Sequence, residues 1–402
     1  MGVENETATR ETRADKRKEI INGIVFLLMF TGYTLTFLMP KFYALTDRYA
    51  SLFVFCMCGI LFFNNVDWIK LIKNKDKDIW ILAAVVLLTG INLIIIGSNK
   101  GAFFVATDFV LIWYLSDKIV MTRRQIECMA VLYTSLLVVW LVIAYPIFFG
   151  NYEEIAYNTN NAATFTVYTL LCAFIFLKKL SVRFEVMGVL TVMAVVRTFH
   201  LVLWHRARGA FVMLLVFMLF YYLVPRKWWE SKKLYRFLYL FATLGSLAFV
   251  AIYTALGQTG ANFKLPFFYK NVFSGRQKIW LEIGKMFVKK PITGIGSGYA
   301  LDSFFEYNLH NAMLDLIAVH GILVFIGIMY FVWKRLALFG KDIRKNTYAL
   351  CALCAIFAVF FESFFDIDLI WADYAPNLMF LLIIINSERT TKGLMGEAYG
   401  KV

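Results

Sequence analysis

Residues 79–97 read IWILAAVVLLTGINLIIIG, nineteen positions without one charged side chain. A helix of about 20 such residues crosses the hydrocarbon core of a bilayer. Lys77 and Lys100 bracket the run, as expected where a helix leaves the membrane. Working outward, windows of similar length recur along the whole chain. They predict twelve spans, near 20–39, 49–66, 79–97, 102–120, 126–149, 162–177, 184–203, 209–224, 238–256, 310–333, 347–365 and 369–386. Composition agrees. Of 402 residues 60% are hydrophobic and only 17% charged, with a mean hydropathy of +0.67. A water-soluble globule is nearer half apolar and a quarter charged. The pattern excludes a soluble enzyme, a disulfide-knit secreted protein and a disordered chain. It predicts an all-α polytopic membrane protein of about twelve transmembrane helices.

Charge placement orients the chain. With the N-terminus inside, 28 of the 41 Lys and Arg fall on that side and five in the short loops opposite. Arg197 lies within a span, and seven more lie in one long loop, 257–309. Cationic loops stay in the cytoplasm, so both termini are predicted cytoplasmic and the +14 net charge needs no nucleic acid. The expected organisation is a cytoplasmic tail over 1–19 and nine spans within 20–256. The extracytoplasmic loop 257–309 follows, then three spans within 310–386 and a cytoplasmic tail over 387–402. Residues 1–19 are polar and the apolar run after them continues to about Met39, too long for a cleaved signal peptide. The six cysteines lie in or beside apolar stretches, so no structural disulfide is expected. Cys351-x-x-Cys354 reads as two small core residues rather than a redox pair.

Cations on the outer side are not placed there by topology, and they mark candidate chemistry. Trp204-His205-Arg206-Ala207-Arg208 forms the outer junction of the seventh and eighth spans. Arg206 and Arg208 suit phosphate oxygens through planar, bidentate contacts; an interfacial cluster snorkelling to water is the alternative. Arg197 and His200 lie earlier on the seventh span, where Arg197 faces either function or a pairing with Asp108. In the long loop, Ile279, Ile283, Met286 and Phe287 stripe one face, while Lys278, Glu282, Lys285 and Lys289 stripe another. An amphipathic helix is predicted over 275–290, lying on the membrane surface, with Arg276 in its positive N-terminal turn. Gly294-Ile295-Gly296-Ser297-Gly298 reads as a flexible turn rather than a phosphate cradle, since no strand precedes it. His310 stands at the water boundary, where a neutral imidazole takes a proton from a hydroxyl or, alternatively, anchors the loop. Asn311 beside it, and Asn160 in the run 158–161, are candidate sugar ligands or helix caps. Glu153 and Glu154 precede that run. The four histidines show no metal-ligand spacing; Asp366-x-Asp368, in a short turn beside the last span, is the alternative metal reading, and no metal is expected.

Taken together, Arg208-Gly209-Ala210, Gly275-Arg276 with Trp280, Pro291 with Gly294 and Gly296, and His310-Asn311 followed by Gly321 resemble the O-antigen ligase and O-antigen polymerase superfamily. The resemblance covers about residues 150–335. It implies a GT-C-like architecture and a metal-independent glycosyltransferase with no cofactor, working on the extracytoplasmic face of the bacterial inner membrane. The implied donor is a glycan on undecaprenyl diphosphate, and the acceptor a second glycan. Membrane lipids, a flippase and a chain-length regulator are the implied surroundings. On this reading His310 and Arg276 are catalytic, Arg206, Arg208 and Arg276 hold the diphosphate, and Asn160 and Asn311 meet sugar. The expected product is a capsule- or O-antigen-type polysaccharide built by polymerising repeat units. The alternatives are a ligase moving glycan onto lipid A core or another acceptor, and a flippase. Transporters carry their charges near the bilayer midplane, whereas here they gather at one surface.

Overall fold

The computed structural model describes residues 2–39, 43–150, 159–260, 264, 271–302, 309–339 and 346–399. Glu153, Glu154 and Asn158 lie outside the described residues. Among those described the chain is helical, with one isolated antiparallel bridge between Lys264 and Asn271. In order the helices are α1 (Gly2–Leu38), α2 (Tyr43–Asn65), α3 (Trp68–Lys73), α4 (Lys77–Ile95) and α5 (Lys100–Leu115). Next come α6 (Arg123–Val139), α7 (Tyr145–Gly150), α8 (Thr159–Arg183), α9 (Glu185–Trp204) and α10 (Arg208–Met218). The rest are α11 (Arg226–Trp229), α12 (Lys232–Gln258), α13 (Arg276–Lys289), α14 (Ala312–Phe339), α15 (Thr347–Glu362) and α16 (Ala375–Tyr399). A π-helical segment, Trp140–Ala144, joins α6 to α7, and another, Leu219–Leu223, extends α10.

Among the described residues, eight helical stretches are long and apolar enough to cross a membrane. They lie in α1, α2, α4, α6 with α7, α8, α9, α12 and α14. The molecule is a polytopic membrane protein. All twelve predicted stretches fall on helices, but four of those helices are shorter or less apolar than a full span requires. Both α5 and α15 have 16 residues, and α16 is apolar only over its first half. These three pack in the middle of the bundle, where Cys351, Cys354 and Phe360 of α15 and Phe380 of α16 are fully enclosed. The outer helices show the opposite pattern. Val186, Val189, Met193 and Val196 form an exposed apolar stripe along α9, suited to lipid rather than water.

Apolar contact between helices gives little preference over lipid tails, so polar ties fix the packing. Trp140 Nε1 donates to Thr166 Oγ1 at 2.7 Å, and Tyr133 Oη to Asn377 Oδ1 at 2.7 Å. At the end of α14 far from its start, Lys334 pairs with Asp78 and Arg335 with Asp117, each at 2.6 Å. Arg335 is enclosed and also donates to the Trp113 carbonyl. Lys179 meets Glu127 at 2.7 Å, and Tyr348 at the start of α15 donates to the same carboxylate. Lys179, Lys334 and Arg335, all counted on the cation-rich side, are thus held by acidic partners.

The apolar run of α14 is interrupted at Gly321, whose φ is 83°. There the segment after α13 packs backbone against backbone. Ile295 N donates to Ala318 O, Gly296 N to Val319 O, and Ile322 N to Pro291 O. Asn92 of α4 donates to the carbonyls of Thr293 and His320, both at 3.0 Å. A Cβ at Gly321 would lie 2.1 Å from the Ile292 oxygen, and one at Gly294 2.4 Å from the Val319 oxygen. The glycine-rich segment expected to be a flexible turn is instead a fixed one. Its glycines let two backbones touch, and the contact satisfies polar groups that a broken membrane helix would leave open.

Candidate functional site

Four elements deliver charged side chains to the end of the bundle where α10 and α14 begin. Arg208 opens α10, Arg276 opens α13, His310 precedes α14, and Asp366 lies in the turn after α15. Gly275, at φ 96°, turns the chain into α13. Trp280 on the buried face of α13 donates to the Leu309 carbonyl at 2.6 Å. That bond ties the amphipathic helix to the residue before His310.

The Arg208 guanidinium spans the turn before α13. It donates to the Asn271 carbonyl at 3.2 Å, the Val272 carbonyl at 3.3 Å and Ser274 Oγ at 3.0 Å. Tyr253 of α12 donates to the same Val272 carbonyl. Arg208 and Arg276 lie close enough for each charge to act on the other, and Asp366 acts on both. Two guanidiniums against one carboxylate leave a net positive charge, which favours an anion.

His310, in left-handed backbone at φ 50°, places Nδ1 3.3 Å from Asp366 Oδ1. Arg276 approaches the other oxygen at 3.8 Å. Burial acts to raise the Asp366 carboxyl. The hydrogen bond and charge of His310, with the charge of Arg276, outweigh it and hold the group below the ordinary carboxylate value. Facing an ionised Asp366, the imidazole carries a proton on Nδ1. His310 keeps 22% side-chain exposure and Arg276 16%, so both remain reachable. Asn311 does not. It is fully buried, its Oδ1 caps α14 through Leu314 N at 2.9 Å, and its amide donates to Ser246 Oγ and the Phe364 carbonyl. Of the two roles expected for Asn311, the helix cap is the one its contacts display, and it fixes the frame behind His310.

Other candidates sort by position. Arg206 is exposed on the turn before α10, in left-handed backbone at φ 54°. His205 is enclosed and bonded to Tyr145 Oη at 2.9 Å, and burial pushes its imidazole down to about 4. It is therefore neutral and no part of a phosphate cluster. Arg197 does not pair with Asp108; it reaches His200 Nδ1 at 3.2 Å and lies over the Tyr145 ring. Asn160 is half-buried in the first turn of α8, next to Asn161, which donates to Tyr43 Oη. The acids of Asp366-x-Asp368 face different partners. Asp368 is enclosed beside Glu362, and burial, reinforced by the charge of Asp366, pushes it well above the ordinary carboxylate range. Glu362 in turn lies against the first turn of α10, where a Cβ at Gly209 would come within 2.8 Å of its Oε1.

Asp366, noted in sequence only as part of an acidic turn, is brought by the fold to His310 and Arg276. Its one signal was position, an acid in a short turn on the same predicted side as His310. No family model matches the chain, and no curated protein matches it.

Proposed function

We propose that the protein is an integral membrane glycosyltransferase of GT-C type. It polymerises repeat units carried on undecaprenyl diphosphate at the outer leaflet of the bacterial plasma membrane. The observation that carries this reading is the meeting of Arg208 and Arg276 with the His310–Asp366 pair at one end of an apolar bundle. A phosphate-binding cation pair and an oriented base are what glycan transfer from a lipid diphosphate requires.

In this mechanism Asp366 holds Nδ1–H, and His310 Nε2 accepts the proton of the acceptor hydroxyl. The hydroxyl oxygen bonds to the anomeric carbon while the bond from that carbon to the diphosphate oxygen breaks. The electron pair passes to the leaving diphosphate. Arg276 and Arg208 stabilise the charge that grows there, and their prior placement spares reorganisation during the step. The imidazolium then returns its proton to water.

The deciding experiment is a chromosomal deletion followed by analysis of the cell's glycans. A polymerase deletion leaves single repeat units on the final acceptor. Unattached polymer accumulating on lipid would make the enzyme a ligase, and an unchanged glycan profile would contradict the transferase reading.

A further inference from the structure

Beside the charged site lies a cavity of about 200 Å³ that the proposed chemistry does not use. At roughly 30 Å³ per water, it has room for six or seven waters or one pyranose ring. Its lining combines Asn99 before α5, Ser297 and Tyr299 of the loop after α13, Asp315 of α14, and Trp371. The arrangement is fixed from several sides. Asn99 N donates to Ser297 Oγ at 2.7 Å, and Ser297 N to Ser98 Oγ at 3.3 Å. Gly296 is held to Val319 of the cavity wall.

Asp315 is half-buried in this cavity, and among the described residues its carboxylate has no hydrogen-bond or ion-pair partner. An acid with free acceptor oxygens in a concave, partly apolar place calls for a donor from outside the chain. Burial and the nearby Asp315 push the Tyr299 phenol up, so it stays a neutral hydroxyl on an aromatic ring. The lining offers carboxylate and amide acceptors, hydroxyls, and the rings of Tyr299 and Trp371. No lysine or arginine lines it, so the cavity offers an anionic ligand no cation to pair with. Aromatic faces with a few convergent polar groups suit a neutral ring that carries several hydroxyls.

We propose that this cavity is a subsite for one neutral sugar ring of the glycan substrate, with Asp315 accepting its hydroxyls and Trp371 covering its apolar face. The proposal rests on the transferase reading for its ligand class and deepens it. Continuity with the charged site supports the assignment. Asp315 N donates to the Asn311 carbonyl one helical turn below His310, and Ile367 of the cavity wall follows Asp366.

The test is saturation-transfer NMR on the full-length protein in nanodiscs, using methyl glycosides of neutral hexoses, N-acetylhexosamines and hexuronates as probes. Wild type and His310→Gln are expected to transfer saturation to at least one neutral glycoside and to none of the hexuronates. Asp315→Asn and Trp371→Ala should each weaken that binding about tenfold or more, the usual scale for losing a charged hydrogen bond or a stacked ring. No neutral glycoside bound by wild type, or equal affinity in both cavity variants, overturns the subsite. The two readings fail separately. Binding that depends on Asp315, in a protein whose deletion leaves cellular glycans unchanged, keeps the subsite as a sugar site and rejects the transferase.

Discussion

His310 Nδ1 lies 3.3 Å from Asp366 Oδ1 although 56 residues separate them in the chain. The two meet because Asn311 caps α14 and its amide donates to the Phe364 carbonyl in the turn after α15, while Ala312 N donates to the Ser363 carbonyl beside it. One asparagine thus sets the distance between a base and the carboxylate that orients it.

Asp366→Asn should keep the fold and lose transfer. An amide in place of the carboxylate no longer fixes the proton on Nδ1, so Nε2 ceases to be a dependable acceptor. A loss of about 10²–10⁴-fold is expected, the range typical of general-base removal. The same substitution has a stability signature. Asp366 is held below its ordinary value in the folded state, so its contribution is present above the unfolded pKa near 3.9 and is lost as pH falls through the folded one. The advantage of wild type over Asp366→Asn in thermal unfolding should shrink as buffer is taken below about pH 5. An advantage that grew with acidity would contradict the ion contacts.

Lysine should fail to replace either arginine. Arg208 uses two guanidinium nitrogens on three oxygens, a fork that one ammonium does not reproduce. Arg208→Lys and Arg276→Lys are each expected to lose about 100-fold or more in transfer rate. Initial rates on a lipid-linked donor at matched protein concentration measure this. Near-full activity in both lysine variants would reduce the pair to a general positive field.

Gly321→Ala should cost folded protein. The backbone there is left-handed, and the new methyl would meet the Ile292 carbonyl at 2.1 Å. At φ 83° and ψ 166°, a region essentially confined to glycine, the conformational penalty alone is about 1–3 kcal/mol, and the clash adds to it. Gly90→Ala, whose nearest neighbour would sit at 3.9 Å, is the control. Monodisperse protein recovered after detergent extraction should fall sharply for the first and not the second.

Periodicity and hydropathy carried the helical architecture, because a lipid-facing stretch such as 79–97 cannot hide its composition. The break in α14 was not legible: Gly321 sits in an unbroken apolar run, and its partners Ile292 and Gly294 lie nearly thirty residues earlier. Arg208, Arg276 and His310 stood out because cations on the sparsely charged side need a reason to be there. Asp366 stood out only as half of an Asp-x-Asp turn, and its pairing with His310 was not legible because 56 residues separate the two. For Asn311 the sequence left two roles open, ligand or cap. Next to His310 in sequence, it points into the protein, and no local pattern distinguishes a cap from a ligand.

The charge count makes its own prediction. A single cysteine introduced at Lys264 should react with a membrane-impermeant thiol reagent in intact spheroplasts, and one at Lys73 only after lysis. The reverse pattern would turn the whole arrangement inside out and put the arginine pair in the cytoplasm.

The central claim is that His310 removes the acceptor proton while the arginines hold the diphosphate. Turnover by purified His310→Gln on undecaprenyl-diphosphate-linked repeat units tests it most directly, because glutamine keeps a hydrogen bond at that position but is no base. Wild type should yield a ladder of repeat-unit multiples together with free undecaprenyl diphosphate. His310→Gln should bind the donor as well as wild type and turn over about 10²–10⁴-fold more slowly. Near-normal turnover by His310→Gln would contradict the account.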